Sequence, residues 1–213
     1  MLELPKKTEV NKRIPKQKLY ENADINASLK RTIIEQVKVI YWKNKIATST
    51  TNLAEGSNVT ELEVFEIQLN NPTLDTNVLC QIDRKIPYHI LFLLEYDGMY
   101  QAWLGYKELQ VTSKVNNYYH TDWLTTNAMK LRLEGLSLDD VYENFLRQIA
   151  GEKLKRKTEA ETIKESVLKD EQKQGFIRQI EALKKEIKKE VQLNKQMDLN
   201  TELKKLKKQL EAL

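Results

Sequence analysis

The sequence predicts an α+β domain built on a mostly antiparallel sheet with helices packed on it, followed by a long C-terminal helical coiled-coil or helical-hairpin tail. Three observations predict it. Segments of strand-like and helix-like apolar spacing alternate in the order helix, strand, helix, hairpin, strand, which places helices on an antiparallel sheet. A hairpin is signalled by Asp97-Gly98 between two apolar runs. Beyond residue 150 the apolar residues thin out, then recur every three or four positions to the C-terminus.

The elements follow in order. DINASLKRTIIEQVKVIYWKNKIA (Asp24 to Ala47) reads as one helix, capped by Asp24 or Asn26, with Leu29, Ile33, Val37 and Ile40 as its core stripe. TELEVFEIQLN follows a polar loop as a strand. Leu62 and Val64 fall on one face, and Phe65, Ile67 and Leu69 on the other, so it is bulged or buried on both sides and belongs inside the sheet. In TLDTNVLCQIDRKIP, Val78, Leu79, Ile82 and Ile86 have helical spacing and Pro87 ends the run. YHILFLLEY and MYQAWLGYKE are the strands of the hairpin. VTSKVNNYYHTDWL is a further strand with an irregular exit. SLDDVYENFLRQIAG closes the domain as a helix, with Ser137 as its cap, Asp139 and Asp140 at the positive end of its dipole and Gly151 at its end.

This divides the chain into a globular domain over 1–150, a charged helical tether over 151–175 and a coiled-coil or helical interaction segment over 176–213. The composition agrees with that division: 40% hydrophobic and 31% charged residues are what an ordinary core joined to a solvated helix gives. In the last segment Ile180, Leu183 and Ile187 form one seam and Leu199, Leu203, Leu206, Leu210 and Leu213 another. The spacing between Ile187 and Leu203 is not a multiple of seven, so one unbroken heptad seam is excluded. Either a stutter in one coiled coil or a turn that folds the tail back accounts for the break.

Charge is uneven. Residues 151–213 hold 17 Lys and Arg against 12 Asp and Glu, whereas residues 1–150 hold 18 against 19. A smaller basic cluster, Lys6, Lys7, Lys12, Arg13, Lys16 and Lys18, opens the chain. Such clusters neutralise phosphates, and Lys6, Lys7, Lys12, Arg13 and Lys16 are the candidate nucleic-acid contacts, although no aromatic residue is interleaved with them for stacking. The N-terminal segment lacks an apolar stretch long enough for a signal peptide, and no window approaches ~18 apolar residues, so a cytoplasmic protein with no membrane partner is expected. The single cysteine, Cys80, supports neither an internal disulfide nor a CxxC metal site.

Catalytic motifs are scarce. No GxSxG elbow, phosphate-binding GxxxxGK[ST] loop, HExxH or EF-hand is present. His89 starts an apolar strand, and His120 has Asp122 two residues on, a pair that reads more simply as loop structure than as catalysis. One enzymatic candidate remains. Glu66-Ile67-Gln68, with Glu61 and Glu63 on the same strand, approaches the acid-x-lysine pattern of metal-dependent nucleases, but a glutamine stands where the lysine belongs. Tyr96, Tyr100, Trp103, Tyr106, Tyr118, Tyr119 and Trp123 cluster as core residues or as a protein-binding sheet face. No cofactor and no metal site is expected.

The runs LPKKTEVNKRIPKQKLYENADINASLKRTIIEQVKVIYWKNKIA, ELEVFEIQL, IDRKIPYHILFLLEY, YENFLRQIAGE and KKEVQLNKQMDLNTELKKLKKQLE resemble the family called domain of unknown function 4391. That resemblance spans nearly the whole chain and transfers no catalytic residue. It implies a setting beside helicases and DNA methyltransferases in prokaryotic restriction or anti-phage defence islands. The leading expectation is therefore a non-catalytic adaptor subunit of such a complex. It docks a helicase, nuclease or methyltransferase partner through the sheet domain and the C-terminal helices. A nucleic-acid-binding or divergent nuclease subunit, using the N-terminal lysines and Glu66, is the alternative. Self-association through the tail into a homo-oligomer is the third.

Overall fold

The computed structural model describes residues 2–20, 25–107, 115, 117–158 and 160–213, and its first strand lies ahead of the first element read from the sequence. A short 3-10 turn, Lys6–Thr8, leads into β1 (Glu9–Ile14), which is followed by the single-turn α1 (Gln17–Tyr20). The long first helix is then corrected. Helix α2 spans only Ala27–Gln36, and from Val37 the chain is strand β2 (Val37–Ala47). Asn26 caps α2, its side chain accepting from the Leu29 N–H at 2.8 Å; Asp24 lies outside the described residues. The helical spacing misleads here because β2 is bulged between Val37 and Val39 and again between Trp42 and Asn44. A bulge shifts the two-residue alternation by one, so Val37 and Ile40 share one core face at a three-residue interval.

The remaining elements are β3 (Glu61–Leu69), α3 (Thr76–Lys85), β4 (His89–Tyr96), β5 (Met99–Tyr106), β6 (Asn117–His120), β7 (Leu124–Thr125) and α4 (Leu138–Ala150). Among the described residues seven strands form one sheet of order β1-β2-β3-β4-β5-β6, with β7 also on β5. β3 and β4 pair parallel through the α3 crossover, and the other strand pairs are antiparallel. The hairpin lies where Asp97-Gly98 places it, both residues at positive φ, 49° and 74°, as a type I′ turn requires. Residues 111–114 of the expected strand VTSKVNNYYHTDWL lie outside the described residues.

β3 is buried on both sides and is not bulged against β4. Phe65, Ile67 and Leu69 join Ile90, Phe92 and Leu94 beneath α2 and α3, with Ile33, Val78, Leu79 and Ile82. The alternate residues Leu62, Val64, Leu91, Leu93 and Leu104 are equally buried on the opposite face, where α4 lies against β3 and β5. Full burial of each such side chain stabilises the fold by roughly 1.5–3 kcal/mol. Helix α4 is fixed at its start by a capping box between Ser137 and Asp140. The Asp139 carboxylate accepts the backbone N–H groups of Ser57, Asn58 and Val59 at 2.7–3.1 Å, tying the loop before β3 to α4.

Contacts divide the chain into two units, Met1–Gly151 and Glu152–Leu213. The second holds a 3-10 turn (Gly151–Leu154 at the division), α5 (Ile163–Ile187) and α6 (Leu193–Glu211), which pack against each other. Thr162 and Glu165 form the capping box of α5. No helix among the described residues is long and apolar enough to cross a membrane.

Candidate functional site

Pairing of β1 with β2 joins two distant parts of the sequence. Lys12 lies opposite Trp42 and Arg13 opposite Tyr41, so the N-terminal cations, which lack aromatic neighbours along the chain, gain them across the sheet. Lys12 and Arg13 line a groove of about 420 Å³. Ile14, Pro15 and Lys18 continue its wall on one side, Trp42 of β2 with Glu63 and Phe65 of β3 form its centre, and Lys85, Ile86, Pro87 and Tyr88 close it after α3.

The groove is layered. Glu63 and Phe65 form a floor, each only 4% exposed. Ile14, Trp42, Ile86 and Tyr88 are half-buried walls, and Lys12, Arg13, Lys18 and Lys85 are exposed at the rim. Sequence order explains the arrangement. β3 is central and brings Glu63 and Phe65 to the bottom, α3 ends at Lys85 beside them, and β1, the edge strand, supplies cations that water can reach.

Glu63 is held by one strong donor. Trp42 Nε1–H donates to its Oε2 at 2.6 Å and also reaches the Asn44 carbonyl at 3.1 Å. Burial pushes the Glu63 carboxyl up to about 7; the Trp42 hydrogen bond opposes that rise and nearby Glu61 adds to it. Lys45 pairs with Glu61 at 2.7 Å. A buried carboxyl with a raised pKa that lines a groove is a candidate binding-site group.

A second polar cluster, formed by α3, the end of β5 and β6, is closed. Asp83 of α3 and Lys107 at the end of β5 form an ion pair at 3.0 Å with side chains 2% and 1% exposed. Lys107 Nζ also donates to the Tyr88 carbonyl, and Tyr118 OH donates to the other Asp83 oxygen. Burial pushes Asp83 up while Lys107 and Tyr118 hold it down. Beside them His89 is fully buried, its ring 4.3 Å from that of Tyr142 and its Nε2 3.2 Å from the Lys107 carbonyl. Among the described residues its Nδ1 has no hydrogen-bond partner, and burial, with Lys107 nearby, lowers its pKa to about 4. His89 is thus a buried, neutral histidine on β4, an interior strand between β3 and β5.

The remaining candidates are dispersed. Glu66 is buried on the sheet face opposite Glu61 and Glu63, where Gln68 Nε2 donates to it at 3.2 Å and Lys43 Nζ lies 4.0 Å away. The three glutamates therefore do not converge. Among the described residues no group of three or more His, Cys, Asp and Glu is placed to hold a metal ion. Lys6 and Lys7 are exposed on the turn before β1, and Lys16 Nζ donates to the Val37 carbonyl at 2.6 Å beside a neighbouring pocket. His120 stacks on Trp103 with ring centroids 4.3 Å apart, and its Nδ1 lies 3.2 Å from Gln101 Nε2. Cys80 is half-buried and its thiol is raised by burial.

In the helical unit the seam residues are partly or fully covered, as are Leu154, Val167, Ser166 and Asp170 outside the seams. Ile180 and Leu206 are buried, and Leu183, Ile187, Leu199, Leu203, Leu210 and Leu213 half-buried. The helix is interrupted over 188–192, between the seams. Val191, Leu193 and Met197 stand 92%, 70% and 62% exposed around that interruption.

Sequence reasoning did not single out Trp42, Lys85, Asp83 or Lys107 as functional. A signal existed for one of them: Lys107 directly follows the apolar strand AWLGY, where a lysine is either a solvent-facing end or, as here, a buried partner. Trp42 was read as helical, which hid its place opposite Lys12.

Comparison with known proteins completes the description. No curated protein and no solved structure matches the chain. The family model described as Domain of unknown function (DUF4391) matches residues 2–210 of the 213, so this chain belongs to the DUF4391 family.

Proposed function

We propose that this protein is a nucleic-acid-binding subunit without a reaction centre of its own, working inside a larger prokaryotic defence or restriction assembly. The groove bounded by β1, β2, β3 and the end of α3 is its contact surface. One observation carries the reading: four exposed cations, Lys12, Arg13, Lys18 and Lys85, surround the aromatic and apolar surfaces of Trp42, Phe65 and Tyr88. Cations at a rim neutralise phosphates, and aromatic faces below them stack bases. The setting beside a helicase, nuclease or methyltransferase comes from the family resemblance.

Binding of a fluorescent single-stranded oligonucleotide, followed by anisotropy over a salt series, tests it. The logarithm of affinity falls linearly with the logarithm of salt concentration. Lys12→Ala and Lys85→Ala each flatten the slope by roughly 0.7 per phosphate contact removed. Affinity that ignores salt, or a slope unchanged in both variants, overturns the reading.

A second reading keeps the adaptor role in front, and the exposed Val191, Leu193 and Met197 favour it. Three aliphatic residues left in water beside the helix break suit a coiled-coil or helical contact with a partner protein. Leu193→Asp with Met197→Asp then abolishes co-purification of a helicase or methyltransferase from the host. If instead light scattering gives a dimer that these substitutions split, the contact is with a second copy.

A further inference from the structure

Beneath its cationic rim the groove described above has an apolar wall and a floor that carries a hydrogen-bonding group. Phosphates would meet the exposed rim, and the half-buried Trp42, Tyr88 and Ile86 above Phe65 suit a flat, largely apolar body. Its volume, about 420 Å³, lies in the lower part of the range of about 300–1,000 Å³ usual for clefts that enclose a small ligand. In a duplex the bases are stacked and paired, so their edges cannot reach such a floor. A base splayed from a single strand can.

The polar group waiting there is an acceptor. Glu63 Oε2 takes the Trp42 Nε1–H at 2.6 Å, and a carboxylate, with about four lone-pair sites, keeps capacity for further donors. Around Glu63 the charged neighbours are Glu61 and Lys45, and these two pair with each other at 2.7 Å. Among the described residues the cations lining the groove are the four at the rim, and Glu63 is its one acidic lining residue.

A buried acceptor discriminates among bases by the donors on their edges. Guanine presents N1–H and N2–H₂ side by side, a match for a carboxylate; thymine and uracil present a single N3–H between two carbonyls, which a carboxylate repels. We propose that the groove holds one unstacked base of a single strand, that Glu63 accepts hydrogen bonds from its edge, and that guanine is therefore preferred over thymine or uracil. The inference rests on the nucleic-acid reading above and adds to it the strandedness and the base.

The test uses the full chain and four short oligonucleotides: a thymine oligomer, the same oligomer with one central guanine, the same with inosine in that place, and the guanine strand annealed to its complement. Inosine retains N1–H and lacks the 2-amino group. The guanine strand binds at least about fivefold tighter than the thymine oligomer, the discrimination expected of a good bidentate base contact. Inosine falls between them, and the duplex binds more weakly than the guanine single strand. Glu63→Leu brings the guanine strand down to the level of thymine. Equal binding of all the single strands with a steep salt dependence overturns the base pocket and leaves the nucleic-acid reading in place. Failure of every oligonucleotide to bind overturns both. The wild-type series decides the matter even if the Glu63 variant does not fold.

Discussion

Asp83 and Glu63 are both buried carboxyls on the α3 side of the sheet, 2% and 4% exposed, and the protein treats them in opposite ways. Asp83 is enclosed by its own partners: Lys107 supplies a counter-charge at 3.0 Å, and Tyr118 supplies a hydroxyl. Glu63 has one neutral donor, Trp42, and a like-charged neighbour, Glu61, and it faces a groove ringed by cations. The difference separates a buried carboxyl that is satisfied within the fold from one that is left open to a groove. A carboxylate whose needs are met internally holds elements together. One left at the floor of an open groove, with its pKa raised to about 7, is destabilising when ionised, and on the proposed reading a donor-bearing ligand would offset that cost.

The largest effect should come from breaking the closed pair. Asp83→Ala leaves the Lys107 ammonium buried without its counter-charge, a loss of about 3–5 kcal/mol. Replacing both residues, Asp83→Leu with Lys107→Met, recovers most of that loss, because packed apolar groups often substitute for a buried pair at little cost. Urea unfolding of the two variants measures both. A single variant as stable as the parent would mean that Lys107 reaches water, and the contrast with Glu63 would collapse.

Next comes Glu63→Gln, with the opposite sign. The folded pKa of Glu63, about 7, lies above the ordinary 4.5, so the folded state holds a proton that the unfolded chain has lost. Its contribution to stability is therefore full at low pH and falls as pH rises from about 4.5 to 7. Removing the charge should stabilise the protein by up to about 3 kcal/mol at pH 8 and do little at pH 4. His89 runs the other way. Its folded pKa of about 4 lies below the ordinary 6.5, so it weakens the fold as pH drops from 6.5 to 4. Of the charges that act on it, Lys107 lowers its pKa further and Asp139 opposes that. Between about pH 4.5 and 6.5 the two slopes offset each other. Glu63→Gln should unmask the histidine: stability of the variant relative to the parent rises with pH by about 1.4 kcal/mol per unit across that window.

How much of this contrast the sequence contains depends on what brings each pair together. The hairpin, α3 and α4 were legible because their signals are local: Asp97-Gly98 for the turn, Val78, Leu79 and Ile82 with Pro87 for α3, Ser137 and Gly151 for α4. The two-sided burial of β3 could also be read, from apolar residues on both of its faces. The groove could not. It depends on β1 pairing with β2 across some thirty residues, and β2 was hidden because its bulges reproduce a helical interval at Val37 and Ile40. Without that strand the N-terminal lysines have no aromatic partner, and Glu63 appears beside Glu66 although the pleat sends them to opposite faces. Lys107 and Asp83 are separated by a strand pair and a turn, so nothing local marks them as partners.

Tyr118→Phe probes the closed cluster more gently. It removes the hydroxyl that donates to Asp83 and keeps the ring, costing about 1.5–3 kcal/mol, as for a hydrogen bond to a charged group. The loss should vanish in the background of Asp83→Leu with Lys107→Met, where the acceptor is gone; a double-mutant cycle measures the coupling. Persistence of the full loss there would assign the hydroxyl to another partner.

The smallest effect distinguishes the two functions of Trp42. Its indole N–H holds the Glu63 carboxylate, and its ring lines the groove. Trp42→Phe keeps an aromatic face and deletes the donor, whereas Trp42→Ala deletes both. With the donor gone the ionised form of Glu63 loses its support, so Trp42→Phe should cost about 1 kcal/mol more at pH 8 than at pH 5, where Glu63 is protonated. Oligonucleotide affinity should follow the ring: Phe binds within a few fold of the parent, and Ala loses about 1–3 kcal/mol, the value of one stacked base. Equal affinity of the Ala and Phe variants would move the stacking surface to Tyr88 or Phe65. A Trp42→Phe loss that ignores pH would mean that Glu63 draws its support from elsewhere in the groove, and its contrast with the fully enclosed Asp83 would shrink accordingly.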